Sequence, residues 1–429
     1  MTARWFSRIQ SWRWSLAALV GLLLLQLLSS AWLLLAGQPV TLSFYVPAEE
    51  LPNWEEIVED FEQTHRHIKI DLLAGYYNTD EIRAIYLSTF EKEDPYDLLL
   101  TDVIWLPELA DNGWLKDLSD VLSPEQTAAF LRSELAAGTY QDRLYRLPFR
   151  SDIGLLYPRQ DLLAAINQPV PETFEQLAEV VEQLKRQDKE WGYLWQGKQY
   201  EGLVAFFSEI LSGYGGFWID PETRTVGLDR DEAKAAAKFL RRLVEQPLSP
   251  PSVLNFDEVG SRRRFAEGQG AFLRHWGYAA ADLAAGSEAP ARVPHAEGHR
   301  SQGCRGGWGV SVAAQTPYPA AAVEAALYFT SAAAQKQFVL SSGYLPSRTA
   351  LFHDPELVAD YPYLPQLLTW LSNPDFYQFR PQIVKYSEAS EILQEALWRV
   401  LNQSQDVELV MDEAAAATDE LVFGSAQPG

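Results

Sequence analysis

Residues 40–102, VTLSFYVPAEELPNWEEIVEDFEQTHRHIKIDLLAGYYNTDEIRAIYLSTFEKEDPYDLLLTD, decide the fold. Val40 to Tyr45 alternates apolar and polar side chains, the period of a half-buried strand. Between Glu49 and Gln63 the apolar residues Trp54, Ile57, Val58 and Phe61 fall on one helical face. Ile68 to Leu73 is a second strand, and Glu81 to Phe90 a second amphipathic helix. Tyr96 to Thr101 is a short apolar run, the mark of a parallel strand buried on both faces. The order β-α-β-α-β predicts a parallel sheet with helices packed on it. Asp102 follows the third strand directly, at the carboxyl end where ligands gather in open α/β sheets. Asp is equally suited to cap a helix over Ile104 to Asn112, so both readings of this residue stand.

Outward from this stretch, helical spacing continues at Pro124–Leu135, Pro171–Gln187, Glu201–Ser212, Arg230–Glu245, Ala320–Ser331 and Ser387–Leu401. Gly213-Tyr214-Gly215-Gly216 ends one of these helices. Ala284 to Gly307 is rich in Gly, Pro and polar residues and reads as a loop. No short repeat of the solenoid kind is present. With 429 residues, 47% of them hydrophobic and 22% charged, the chain is globular and long enough for two lobes.

Charge narrows the partners. Fifty-eight acidic residues against 35 basic ones give a net charge of −23. Phosphate backbones and anionic lipid surfaces both demand clustered Lys and Arg, so nucleic acid is excluded and a soluble, monomeric body is expected. The single cysteine, Cys304, rules out an intrachain disulfide framework. Fourteen Trp, 19 Tyr and 20 Phe supply rings for a core and also for a site built from ring faces.

Ahead of the body, Arg4, Arg8 and Arg13 precede an uncharged, Leu-rich run from Trp14 to Gly37. As a helix it is roughly 35 Å long, enough to cross a bilayer core. Arginines on its N-terminal side orient the body outward, and Trp12, Trp14 and Trp32 sit near the two interfaces. The run exceeds the apolar region of a typical signal peptide, which favours an uncleaved anchor over residues 1–39. Leu35-Ala36-Gly37-Gln38 has the form of a lipoprotein processing box with Gln38 in place of the cysteine, leaving no thiol to acylate.

Several chemistries are missing. Gly306-Gly307-Trp308-Gly309 lacks the lysine and spacing of a phosphate loop, and no G-x-S-x-G nucleophile elbow occurs. His295, His299 and Cys304 have a spacing that could ligate zinc, but no fourth ligand is evident and they read as solvent-facing loop residues. His65 and His67 read as surface. Carboxylate pairs suited to glycoside hydrolysis will occur by chance among so many acids. No cofactor, metal site or catalytic residue is expected.

From Val40 to about Val422 the body resembles the maltose-binding-protein-like extracellular solute-binding proteins of ABC importers, the trehalose/maltose type in particular. The likeness rests on segments in the family's order: Tyr96–Trp105 (YDLLLTDVIW), Leu147–Tyr157 (LPFRSDIGLLY), Trp195–Leu203 (WQGKQYEGL), Phe265–Phe272 (FAEGQGAF) with Trp276, Gly306–Val310 (GGWGV), Leu345–Arg348 (LPSR) and Phe379–Pro381 (FRP). It implies an α/β periplasmic-binding-protein fold of two lobes, each a mainly parallel sheet flanked by helices. Lobe I would hold residues 40–151 and 304–343, and lobe II residues 152–303 and 344–425, joined by crossing strands at 147–157 and 306–310. The membrane helix would precede them.

The resemblance also implies a ligand-binding role for six residues. Asp102 would accept hydroxyl protons from the first lobe, Trp276 and Trp308 would stack on sugar faces, and Arg380 would donate. Gly306 and Gly307 would bring backbone close because no side chain intervenes. Asn78 and Thr79 are placed near the site, and either Glu49 or Glu50 faces the ligand. The expected function is a disaccharide-binding or glycoside-binding subunit of an importer, partnered by permease subunits and closing by hinge motion. Two alternatives are a glycoside-active enzyme on the membrane surface and a sugar sensor using the same fold.

Overall fold

The computed structural model describes residues 39–75, 78–186, 192–283, 289–402 and 405–424. Residues 1–38, on which the expected membrane helix falls, lie outside the described residues. Among those described, no helix is long and apolar enough to cross a membrane.

The opening β-α-β-α-β order is present. Its strands are β1 (Val40–Pro47), β2 (Ile68–Gly75) and β3 (Leu98–Asp102). Further along come β4 (Leu147–Pro158), β5 (Tyr193–Leu194), β6 (Phe272–Trp276), β7 (Gly303–Val312), β8 (Leu345–Pro346) and β9 (Tyr377–Gln378). They form one nine-stranded sheet in the order β2-β1-β3-β7-β4-β6-β5, with β8 added on β4 and β9 on β7. The sheet is mixed rather than mainly parallel. β1 pairs in parallel with β2 and β3, whereas β3/β7, β7/β4 and β4/β6 are antiparallel. The return strands run against β3 because they cross between lobes and are not linked by βαβ turns.

β4 and β7 lie side by side in the middle of this sheet. Trp308 to Val312 of β7 pair with β3, and Arg305 to Gly307 with Ser151 to Ile153 in the middle of β4. Gly154 to Pro158 of β4 pair with β6 in the second lobe. Every residue of β4 is buried, as expected for a strand covered on both faces. The register slips between Trp308 and Gly309, which face Arg150 and Pro148, so Phe149 has no counterpart. Such a bulge bends the strand locally.

The helices that matter below are α1 (Leu51–Thr64), α2 (Thr79–Glu91), α3 (Glu201–Gly213), α4 (Asp231–Glu245), α5 (Pro319–Phe329), α6 (Ala332–Ser342), α7 (Tyr386–Asn402) and α8 (Val407–Phe423). In the first lobe, α1 and α5 pack on β1 and α6 packs on α1, with Trp54 fully buried in their midst. Its ring lies 4.9 Å from Phe44, 4.6 Å from Phe149, 5.7 Å from Phe329 and 5.5 Å from Phe338. In the second lobe α3, α4, α7 and α8 pack together. α3 is buried nearly all round, which its apolar composition permits. It ends where Gly215 turns left-handed at φ 78°, the conformation glycine adopts without penalty.

Two expectations about local structure fail for physical reasons. Pro124–Leu135 is not one helix but two short ones, Pro124–Ala128 and Arg132–Ala136. Between them the backbone of Leu131 donates to Ser347, and Thr349 donates to Ala129; this pairing across the chain extends residues that would otherwise coil. The loop expected through Gly307 ends earlier, because β7 begins at Gly303. Within it, Ala291 bridges Leu156 and His295 bridges Thr173. Cys304 therefore does not face solvent: it is fully buried in β7, and burial raises its thiol to about 11. No metal-holding group of His, Cys, Asp or Glu occurs among the described residues.

Candidate functional site

The carboxyl end of β3, the crossing points of β4 and β7, and the end of β6 meet around one cavity between the lobes. Asp102, Trp276, Gly306, Gly307, Trp308 and Arg380 all line it, together with Asn78 and Thr79. Of the two candidate glutamates, Glu50 lines this cavity, and Glu49 lies on a groove outside it.

Asp102 lines the cavity and also caps, though not the helix expected over Ile104 to Asn112. Its Oδ1 accepts from the Ile104 backbone at 3.3 Å, capping a short 3-10 turn, Val103–Trp105. The same oxygen lies 3.7 Å from the Arg380 guanidinium. Burial raises the Asp102 carboxyl above its ordinary range, with Arg380 pulling the other way. Arg380 makes its close contact instead with Glu201, at 2.5 Å. Tyr386 and Ser390 of α7 donate to the same glutamate at 2.6 and 2.5 Å. Glu201 is thus a buried hub at the start of α3 that holds Arg380 in place.

Trp276 is held edge and face. Its indole N–H donates to Glu258 at 3.2 Å, and the Arg274 guanidinium lies 4.4 Å from its ring centre. Arg274 is itself clamped by a two-point pair with Glu209, at 2.8 and 2.5 Å, the geometry in which Arg recognises carboxylate most firmly. Trp308 packs edge-on against Trp105 at 5.2 Å, with Arg150 at 5.3 Å from its ring centre. Both indoles remain partly exposed, unlike Trp54.

The glycines serve the protein's own side chains. A Cβ on Gly306 would sit 3.2 Å from the Trp276 ring, and one on Gly307 would sit 2.7 Å from the Glu134 carboxylate. Gly307 also has φ +154°, a region L residues avoid. Behind it Glu134 pairs with Arg305 at 3.0 Å and Arg146 at 3.2 Å.

Sequence reasoning missed a second set of lining residues. Arg150 and Asp152 lie inside the quoted crossing LPFRSDIGLLY, Tyr200 and Glu201 inside WQGKQYEGL, and Tyr344 just before LPSR. Arg150 pairs with Glu50 at 2.6 Å and stacks on Tyr344 at 4.1 Å. Asp152 Oδ1 accepts from the backbone of Gly277 at 2.7 Å and of Ile153 at 2.9 Å. Burial nonetheless pushes its carboxyl up to about 7. Segment order pointed to these stretches, but no spacing rule showed which side chains turn inward. Glu258 had no signal in sequence.

The cavity encloses about 60 Å³ of free volume, room for on the order of a few waters. Asn78, Tyr200 and Glu258 are shared with a larger outer groove of about 560 Å³. The arrangement offers donors, acceptors and ring faces to a bound molecule. The polar atoms of the cavity suit hydroxyls, and its rings suit flat CH faces.

Residues 47–336 match the family described as bacterial extracellular solute-binding protein. A probable ABC transporter-binding protein of Deinococcus radiodurans is 28% identical over 328 residues, 73% of this chain and 76% of that protein. The maltotriose-binding protein of Pyrococcus abyssi is 25% identical over 273 residues, 62% of this chain and 57% of that one. Among solved structures, maltose-bound MalE3 of T. maritima matches with a TM-score of 0.83 at 28% identity, covering 89% of this chain and all of that one. An α-D-tagatose-bound solute-binding protein of Thermotoga lettingae matches in fold, with a TM-score of 0.80 at 21% identity over 89% of this chain and all of that one. With a family match over well more than half its length and a two-lobed, MalE-like α/β architecture, the chain belongs to the bacterial extracellular solute-binding protein family.

Proposed function

We propose that this protein is the sugar-binding subunit of an ABC importer, working on the extracytoplasmic side of the membrane and closing its two lobes on a disaccharide, glycoside or polyol. The observation that carries this reading is the cavity between the lobes, where two partly exposed indoles, Trp276 and Trp308, stand among buried carboxylates and guanidiniums. Rings stack on sugar faces, and charged acceptors and donors bind hydroxyls more strongly than neutral ones. The maltose and maltotriose named for two relatives support the same class of ligand.

In this reading lobe I comprises residues 40–151 and 304–343, lobe II residues 152–303 and 344–425, and the body acts as a monomer with permease subunits as partners. Asp102, Trp276, Gly306, Gly307, Trp308 and Arg380 form the binding set, with Glu50, Arg150, Asp152, Tyr200 and Glu201 beside them. The small inner volume means that the walls part to admit a disaccharide, or that one ring sits inside and the remainder lies in the outer groove. Residues 1–39 would anchor the body as an uncleaved helix. Titration calorimetry and thermal melting of the purified full-length chain against a panel of sugars and polyols test the binding. Heat and a raised melting temperature with one of them support it, and neither with any of them overturns it.

A further inference from the structure

The cavity wall is not electrically balanced. Five carboxylates line it, from Glu50, Asp102, Asp152, Glu201 and Glu258, against two guanidiniums, from Arg150 and Arg380. Each guanidinium has its own close glutamate partner, Glu50 at 2.6 Å and Glu201 at 2.5 Å. Asp102, at 3.7 Å from Arg380, lies beyond hydrogen-bonding reach of it. Glu258 is met by neutral donors, the Trp276 indole at 3.2 Å and the Tyr200 hydroxyl at 2.6 Å.

The layer behind the wall adds two carboxylates and three guanidiniums. Arg274 is matched by Glu209, and Arg146 and Arg305 share Glu134. Among the described residues, wall and backing together hold seven carboxyl groups and five guanidiniums, and two of the seven, Asp102 and Asp152, are raised by burial towards their protonated forms. Two of the carboxylates also have spare capacity. Asp102 is 5% exposed and Asp152 8%, and each spends only its Oδ1 on the protein. Neither Oδ2 accepts a hydrogen bond from the described residues, and neither is sealed from the cavity.

Resting on the sugar-binding reading above, we propose that the ligand of this cleft carries a protonated amine, as an amino sugar or amino polyol does, and that anionic sugars are refused. Hydroxyls can fill the two spare acceptors but bring no charge beside which Asp102 and Asp152 would ionise. An ammonium brings three donors and a compensating charge, and the Trp276 and Trp308 rings attract a cation at their faces. A phosphate or carboxylate on the sugar would meet unmatched carboxylates in a water-poor cavity, where like charges repel far more than in bulk water.

The test is titration calorimetry of the full-length chain with matched probes: glucosamine, glucose and glucuronate, then 1-amino-1-deoxysorbitol against sorbitol, and an aminated maltose against maltose. We expect the amine to bind at least tenfold more tightly than its neutral isostere in at least one set, with no heat from the anion. Asp152→Asn and Asp102→Asn should each narrow that ratio to less than threefold, with melting temperatures confirming that the variants fold. A neutral isostere that binds as tightly as the amine in every set, or an anion that binds, overturns the amine preference while leaving sugar binding intact. No heat from any probe overturns both. If either variant fails to fold, the wild-type ratio still decides.

Discussion

Trp54 and the pair Trp276 and Trp308 are the same residue type in opposite circumstances. Trp54 has rings from four phenylalanines around it and no exposed surface. Trp276 and Trp308 each have a guanidinium or a ring on one side and stay partly open to the cleft. A buried ring is stabilised by what covers it, whereas a ring in a cleft is held by a few oriented partners that leave a surface uncovered. The difference lies in which elements supply the neighbours. Trp54 is closed over by α5 and α6, whereas the described residues leave part of each cleft indole open.

The strongest test of this contrast is Trp54→Ala, which should lower stability by about 3–5 kcal/mol, the usual cost of emptying a large aromatic site in a core. Chemical denaturation would measure it. Next, Gly307→Ala should also destabilise, by roughly 1–3 kcal/mol, because φ +154° is strained for alanine and the Glu134 carboxylate blocks the Cβ. A melting temperature within one degree of wild type would show that Glu134 moves aside freely. Trp276→Ala should reverse the pattern of Trp54. Sugar affinity should fall by about tenfold, on the order of one stacking contact's worth, with a smaller loss of stability than Trp54→Ala.

A last effect, seen only across pH, concerns Asp152. Its folded value, about 7, lies above the ordinary carboxylate range because burial disfavours the charge. A carboxyl raised on folding favours the folded state when protonated. Its contribution is therefore present below about pH 4 and is lost as pH rises towards 7. Asp152→Asn should flatten that part of the stability profile, read from melts across pH 4–8. An unchanged slope would mean that other groups set it.

Much of this was legible in the sequence. Period and apolar runs located β1 to β3 and the helices between them, and the end of β3 placed Asp102 at the cleft. What was not legible depends on distance in the chain. The break between Pro124–Ala128 and Arg132–Ala136 comes from pairing with residues 347–349, which no local window sees. The mixed sheet comes from the long crossings. Arg150, Tyr200 and Glu201 sat in segments already singled out, but which side chains face inward follows from register. Glu258 reaches the cleft only because the helix Glu258–Ala266 starts beside the Tyr200 hydroxyl.

The crossing strands also set an order of events for the growing chain. The first lobe starts at Val40, yet its sheet needs β7 beside β3, and the space over Trp54 needs Phe329 and Phe338. Those pieces are synthesised only after residues 152–302, which lie between them and the opening strands. Contacts this far apart in sequence form late, because closing the long loop between them comes first. The first lobe therefore stays open until about residue 340 has been made. Until then the apolar faces of β1 and α1 lack their cover, and a truncated product ending before β7 would present them to other chains.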